Sequence, residues 1–359
     1  MSRKISYNYR RQIPLIEEEP TFPSTRFQGS KLKIVDWIWN TVKDLDFNTV
    51  LDAFGGTGSV GYMLKEKGKI VFYNDLLKFN WYIGLALIEN NEVKLSENDI
   101  RILLEKHDKI IYPTFIYDTF KDIYFTDEEN QWIDKVVTNI NLLEDIYKKA
   151  LAYFALCQAC IIKRPFNLFH RKNLYLRFSN VERNFGNKAS WDTPFDIHFK
   201  KFVDEANQAV FSNGKKNQAF NLDVFDIKGM FDLVYIDTPY ISKKGVGVDY
   251  LGFYHFLEGL VNCSQWDEMI DYRTRHKRLK NTGSVWIDKN QIYSAFDRLF
   301  AKFKDSILVV SYRSDGIPSI EELIKILKKY KPRVEEIKRK NYKYVLSINH
   351  SEEVLLIGQ

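Results

Sequence analysis

Apolar positions along this chain follow two rhythms. From Lys31 to Val42 the residues Leu32, Ile34, Val35, Ile38, Trp39 and Val42 recur at helical spacing, which predicts an amphipathic helix. Phe47 to Phe54 (FNTVLDAF) is a compact apolar run and reads as a buried strand. Glycines follow it, then a helix from about Ser59 to Lys67, a strand from Lys69 to Asp75 that ends in an acid, and a helix from about Leu77 to Asn90. Strand, Gly-rich loop, helix, strand is a βαβ opening and predicts a parallel sheet. From residue 96 to residue 204 the pattern turns helical, aromatic and loop-rich, with no further βαβ unit. Strand-like composition returns at Asn217–Asp226 and Phe231–Tyr240. Ser306–Ser314 is another strand, set between helices at Gln291–Phe303 and Ile320–Tyr330. Three β-rich runs close the chain, Pro332–Ile337, Tyr342–Ile348 and Glu353–Ile357, and two of them are expected to pair as an antiparallel hairpin at the sheet edge. The expected organisation is an arm over 1–21, an α/β unit built from 22–95 and 205–359, and an inserted segment over 96–204.

Composition narrows the class. The chain has 359 residues, 45% hydrophobic and 28% charged, an ordinary globular balance that excludes wholesale disorder and collagen-like architectures. The longest apolar run, Ala150 to Ile162, is too short to span a bilayer, and the basic N-terminus has no apolar core behind it. Three cysteines argue against a disulfide framework. The expected compartment is the cytoplasm, with no membrane partner. A net charge of +6 and a pI near 8.8 are compatible with a polyanionic partner. Most of the 26 Phe, 21 Tyr and 7 Trp must be core, though a few could stack on bases.

Gly56, Gly58 and Gly61 in LDAFGGTGSVG stand in the G-x-G-x-x-G spacing after a strand and before a helix. Several nucleotide-binding classes share that spacing. Here Asp52 sits just before the glycines, where a carboxylate would repel a pyrophosphate, and no Lys-Ser/Thr pair follows. An acid beside a Gly-rich turn suits a ligand with cationic centres, and S-adenosylmethionine has two, a sulfonium and an ammonium. Asp75, ending the second strand, is placed to accept hydrogen bonds from ribose hydroxyls. The plain alternative is a tight turn and nothing more.

DLVYIDTPY (Asp232 to Tyr240) is an apolar strand ending in Asp237, Thr238, Pro239 and Tyr240. Ligands of open α/β sheets bind at such strand ends. Asp237 and the Thr238 carbonyl can each accept one N–H of an exocyclic amine, Pro239 fixes the turn, and Tyr240 offers a flat face to a flipped-out base. Two acceptors favour a more tetrahedral amine nitrogen with a localised lone pair. A strand end with a turn proline and a buried tyrosine is the structural alternative.

Taken together and in this order, the two motifs make the chain resemble the Dam-like, alpha-group adenine-specific DNA methyltransferases, class I enzymes that use S-adenosylmethionine. The family hallmark D-x-F-x-G-x-G matches Asp52, Phe54, Gly56 and Gly58, and D-P-P-Y matches Asp237 to Tyr240, with Thr238 in place of a proline. TRFQGSK resembles the N-terminal motif that closes over the cofactor, mapping onto Phe27, Gly29 and Lys31. The resemblance implies that Asp223, with Val224 or Phe225 beside it, reads the cofactor adenine. SYRSDGIPS (Ser311 to Ser319) also looks like a family segment. The implied fold is a Rossmann-like class I methyltransferase sheet, mostly parallel with an antiparallel C-terminal hairpin, plus a helical target-recognition insertion. The implied partners are double-stranded DNA and a cognate restriction endonuclease acting separately, and the chain is expected to be a monomer.

Lys163 to Phe178 carries Arg164, His170, Arg171 and Arg177 among aromatics, and Glu182 to Trp191 adds Arg183 and Lys188. Asp271 to Lys280 carries Arg273, Arg275 and Arg278. Such segments suit DNA phosphates, although a charge run is commonly a solvated face. Cys157-Gln-Ala-Cys160 lies in an apolar helical run and reads as packing, so no metal site is expected. No Pro-Cys motif supplies the nucleophile that carbon-5 cytosine methylation needs. The competing readings are an N(4)-cytosine enzyme on the same scaffold, a non-catalytic nucleic-acid-binding protein and a nicotinamide dehydrogenase.

Overall fold

A computed structural model of the chain describes residues 19–179, 188–280, 283–339 and 351–359. Most of the expected arm, Arg183 and the Tyr342–Ile348 run lie outside these residues.

Among the described residues nine strands form, in chain order β1 (Thr49–Asp52), β2 (Ile70–Asn74), β3 (Gln218–Phe220), β4 (Leu233–Ile236), β5 (Ile241–Ser242), β6 (Ile307–Arg313), β7 (Gly316–Ile317), β8 (Val334–Arg339) and β9 (Glu353–Gly358). Seven make one sheet in the order β3-β2-β1-β4-β6-β9-β8. β3, β2, β1, β4 and β6 run parallel, and β9 is antiparallel to both β6 and β8. This is the mostly parallel sheet with an antiparallel C-terminal pair that the resemblance implies. β9 is wholly buried between β6 and β8, and among the described residues the charged β8 forms the edge, with Glu and Lys side chains of the kind that discourage further pairing. A separate antiparallel ribbon joins β5 to β7.

The sheet separates two apolar layers by the two-residue period of its strands. Val50, Val71, Leu233, Tyr235 and Val309 face one layer, while Leu51, Val234, Ile236, Leu308 and Val310 face the other. The second layer is closed by the helices Ile292–Lys302 and Ile320–Leu327. The first is closed by Val35–Val42, Ser59–Glu66 and Lys78–Gly84. That same layer runs without a break into the helices between residues 97 and 209. At its centre is Ile146–Ile162, buried from Ala150 onward, which explains an apolar run with no amphipathic stripe. Cys157 and Cys160 lie on this helix, both buried with their thiol pKa values raised by desolvation. No cluster of three metal-ligating groups exists among the described residues. No described helix is long and apolar enough to cross a membrane.

Candidate active site

Strand order reverses between β1 and β4, because the chain winds from β1 outward to β3 on one side and from β4 to β6 on the other. Parallel sheets leave a crevice at such a point, outside the strand C-termini. Here it is a cavity of about 350 Å³, within the size range of small-molecule sites. Of the residues that sequence reasoning placed at the cofactor, Phe27, Gly29, Lys31, Asp52, Phe54, Gly56, Asp75, Asp223 and Val224 line it, as do all four residues of the tetrad, Asp237, Thr238, Pro239 and Tyr240. Gly58 does not. Its φ of +75° turns the chain into the helix that begins at Ser59, a conformation glycine adopts without strain.

The glycine loop is held from below. The Tyr73 hydroxyl lies 2.8 Å from the Gly56 carbonyl and 3.0 Å from that of Asn80. Its ring is wedged so tightly that a Cβ on Gly55 would fall 2.0 Å from it, and one on Gly84 2.3 Å. Gly55, outside the recognised spacing, is therefore the glycine that close approach requires. Gly61 serves Asp52: its N–H donates to Asp52 Oδ2 at 3.1 Å, and a Cβ there would crowd the same oxygen.

Asp52 and Asp237 end adjacent parallel strands, Asp52 lying in register with Tyr235. Burial pushes the Asp52 carboxyl up to about 8, the charges of Asp237 and Asp75 adding to the rise and the Gly61 N–H opposing it. Asp75 accepts from the N–H groups of Gly56 (2.9 Å) and Leu77 (2.8 Å), and burial still raises it to about 6. Burial also raises Asp237, against the pull of Lys31, whose ammonium lies 2.9 Å from Asp237 Oδ1 and 3.5 Å from Glu353. Several carboxyl groups raised together are suited to a cationic ligand, which would favour their ionised forms.

Phe27 stacks on Tyr254 at 4.2 Å between ring centroids, with Tyr250 at 5.8 Å, and the Gln28 N–H donates to the Tyr254 hydroxyl. Gly29, at φ +86°, has no room for a Cβ beside the Tyr250 hydroxyl. This stack brings the N-terminal motif over the cavity.

Sequence reasoning missed several walls. Ser284 to Ile287 line the cavity, and Trp286 packs edge-on to Phe54 at 5.0 Å and flat on Phe225 at 5.9 Å. Tyr250 and Asn80 line it too. Glu353, wholly buried on β9, was legible only as part of a β-rich run. SYRSDGIPS acquires a place: Arg313 lies over the Tyr240 ring at 4.8 Å, and β7 pairs with β5 directly after the tetrad.

The basic residues divide. Arg164 is 1% exposed and its guanidinium donates to the carbonyls of Leu168, Tyr124 and Arg171 and to the Asn173 side chain. Arg177 is buried and donates to both oxygens of Glu129, which also pairs with Lys163. These two expected DNA contacts are corrected: a guanidinium enclosed by protein acceptors cannot reach a phosphate, and both instead hold the segment's shape. His170 is half-buried against Phe253, whereas Arg171, Lys188, Arg273, Arg275 and Arg278 are exposed. The Tyr124 hydroxyl lies 2.7 Å from the Phe169 carbonyl and 2.8 Å from the His276 carbonyl, so the two basic segments lie side by side. The helix Tyr250–Val261 links them to the cavity, for Tyr250 lines the cavity while the Phe253 carbonyl accepts from the Phe169 N–H.

A parallel sheet with an acidic glycine loop at its switch point, facing an Asp-x-Pro-Tyr strand end across one cavity, defines a class I methyltransferase of the kind that modifies exocyclic amines. The chain belongs to the D12 class N6 adenine-specific DNA methyltransferase family, whose profile matches residues 27–258. It is similar to the Type II methyltransferase M2.HphI of Haemophilus parahaemolyticus, 31% identical over 316 residues that cover 86% of this chain and 88% of that protein. It is also similar to the Type II methyltransferase M.FokI of Planomicrobium okeanokoites, 26% identical over 85% of this chain and 47% of that protein. A third relative is the modification methylase StsI of Streptococcus sanguinis, 27% identical over 91% of this chain and 50% of that protein. The chain thus spans about half the length of the last two. The enzyme is an S-adenosylmethionine-dependent DNA methyltransferase specific for adenine.

Proposed function

We propose that this cavity receives both the methyl donor and a target adenine flipped out of double-stranded DNA, and that the enzyme is the site-specific modification partner in a restriction-modification system. The observation that carries the reading is the meeting, in one cavity, of the acidic glycine loop and the Asp237–Tyr240 strand end.

S-adenosylmethionine, when bound, supplies a methyl group made electrophilic by its sulfonium. Asp52 and the bare backbone at Gly55 and Gly56 would hold its cationic end, and Asp75 its ribose hydroxyls. Asp223, Val224 and Trp286 would hold its adenine. The orphaned Asn80 Oδ1, buried on the cavity wall, fits a hydroxyl donor as well.

Asp237 and the Thr238 carbonyl accept the two N–H bonds of the target amine and so localise its lone pair toward the incoming methyl group. Lys31 keeps Asp237 ionised for that task. Tyr240, with Arg313 on one face, stacks the base on the other. Positioning and electrostatics supply the catalysis, with no covalent enzyme intermediate.

Residues 96–204 act as the target-recognition domain inserted into a catalytic domain of 22–95 and 205–359, the first 21 residues being an arm. Arg171 and Lys188 face DNA from the insert, with Arg273, Arg275 and Arg278 beside them. The enzyme acts in the cytoplasm as a monomer, and a cognate endonuclease acts separately.

Methyl transfer from radiolabelled S-adenosylmethionine to mixed genomic DNA, followed by base analysis, tests the reading. Label in N(6)-methyladenine is expected from the wild type and none from Asp237→Ala. Full activity in that variant would remove Asp237 from the chemistry.

A further inference from the structure

Thr238 stands where the family pattern has a proline, a residue without a side-chain hydroxyl. The threonine is 3% exposed, lines the cavity, and its Oγ1 is buried with no hydrogen-bond partner among the described residues. A buried hydroxyl without a partner costs free energy that an apolar side chain of the same shape would not. Its neighbours on the tetrad are differently placed. Asp237 is engaged by Lys31, and Tyr240 is covered on one face by Arg313. The orphan is therefore at the one tetrad position whose main chain the proposed reading puts against the target amine.

We infer that the Thr238 hydroxyl donates a hydrogen bond to a ring nitrogen flanking the amine of the target adenine, either N1 or N7. This rests on the reading that the flipped base lies against the tetrad. The chemistry leaves the hydroxyl little choice of role. The two amine hydrogens already have acceptors in Asp237 and the Thr238 carbonyl, and a residue whose carbonyl meets the amine has its side chain near the adjoining base edge. The atoms flanking an adenine amine are acceptors, and a threonine hydroxyl has one proton to give. Such a bond draws electron density away from the amine, so it does not activate the nucleophile. Its contribution is recognition, and it is read in KM rather than kcat.

The test begins by mapping the methylated sequence in DNA modified by the wild-type enzyme. Duplexes are then made with the target adenine replaced by 1-deazaadenine or 7-deazaadenine, each lacking one of the two acceptors. The wild type is expected to show roughly a 10-fold higher KM on one analogue and not on the other, which identifies the nitrogen. Thr238→Val, of nearly the same shape, should raise KM for the natural duplex by a similar factor and suffer no further loss on that analogue. Thr238→Ser should restore the natural KM. S-adenosylmethionine affinity should be unchanged in both variants.

Equal KM values for adenine and both analogues with the wild type would overturn the inference, and that comparison does not depend on any variant folding. So would a Thr238→Val enzyme that keeps the full analogue penalty. Weakened cofactor affinity with unchanged analogue discrimination would move the hydroxyl to the methyl donor instead. Failure of the wild type to methylate any adenine is a separate result: it removes the reading beneath the inference, and the inference with it.

Discussion

The Lys31 ammonium lies 2.9 Å from Asp237 Oδ1, joining residues 206 positions apart in the chain. The resemblance of TRFQGSK to the N-terminal family motif implies a place for Lys31 at the cofactor. The structure places it on the carboxylate of the tetrad, with the buried Glu353 behind it at 3.5 Å. A lysine here has a definable task, which is to oppose the desolvation that raises the Asp237 pKa.

Replacing Lys31 with methionine should therefore move the acidic limb of the pH–rate profile upward by about one unit or more. The sign follows from the charge: the ammonium favours the ionised carboxylate, so its loss favours the protonated one. At neutral pH the rate falls, and raising the pH recovers part of it. A profile that drops uniformly, with no displacement, would give Lys31 another role.

Asp237→Ala should lower kcat by ~10²–10³-fold, the scale found when a group aimed at the reacting centre is removed. Calorimetry should show S-adenosylmethionine binding close to wild type, since the glycine loop, Asp52 and Asp75 remain.

Asp52 predicts pH-dependent cofactor binding. Its carboxyl titrates at about 8 in the cofactor-free protein, and a sulfonium favours the ionised form. Affinity should rise with pH up to that region and then level off, with proton release detectable by calorimetry in buffers of different ionisation enthalpy. S-adenosylhomocysteine, which lacks the sulfonium, should show a shallower slope, and Asp52→Asn almost none.

The same carboxyl predicts a stability effect. An unfolded aspartate loses its proton near ~3.9, so between that pH and about 8 the folded chain binds more protons than the unfolded one. Stability of the cofactor-free enzyme should thus fall as pH rises through this window. Asp52→Asn should remove that loss and raise Tm at pH 8.5 by a few degrees, measured by calorimetry against the wild type.

The arginines should separate by readout. Arg164→Ala should lower Tm, because four protein acceptors lose their donor. Arg275→Ala and Arg278→Ala should leave Tm in place and each reduce the slope of DNA affinity against salt by ~1. Unchanged slopes in both would take Asp271–Lys280 off the DNA face.

Much of this protein was determined by local sequence. The strand, Gly-loop, helix, strand opening is written in apolar periodicity and in glycines that only a turn tolerates. The tetrad is legible because its residues are contiguous and their chemistry is shared. That is also why Asp52 and Asp237 could be named before their strands were seen side by side.

What only the tertiary structure decided depends on residues that meet across the fold. Periodicity reports that a segment has a buried face, but not what that face touches. Arg164 and Arg171 are seven positions apart and chemically alike, yet burial makes one a structural clamp and leaves the other in solvent. Gly55 matters because Tyr73 arrives from the next strand, and Trp286 and Glu353 reach the site from segments that carry no motif. Thr238 reads in sequence as a departure from a pattern. Its buried hydroxyl without a partner is visible only once the cavity has closed around it, because whether a polar atom is satisfied is a property of the packed chain and not of the residue.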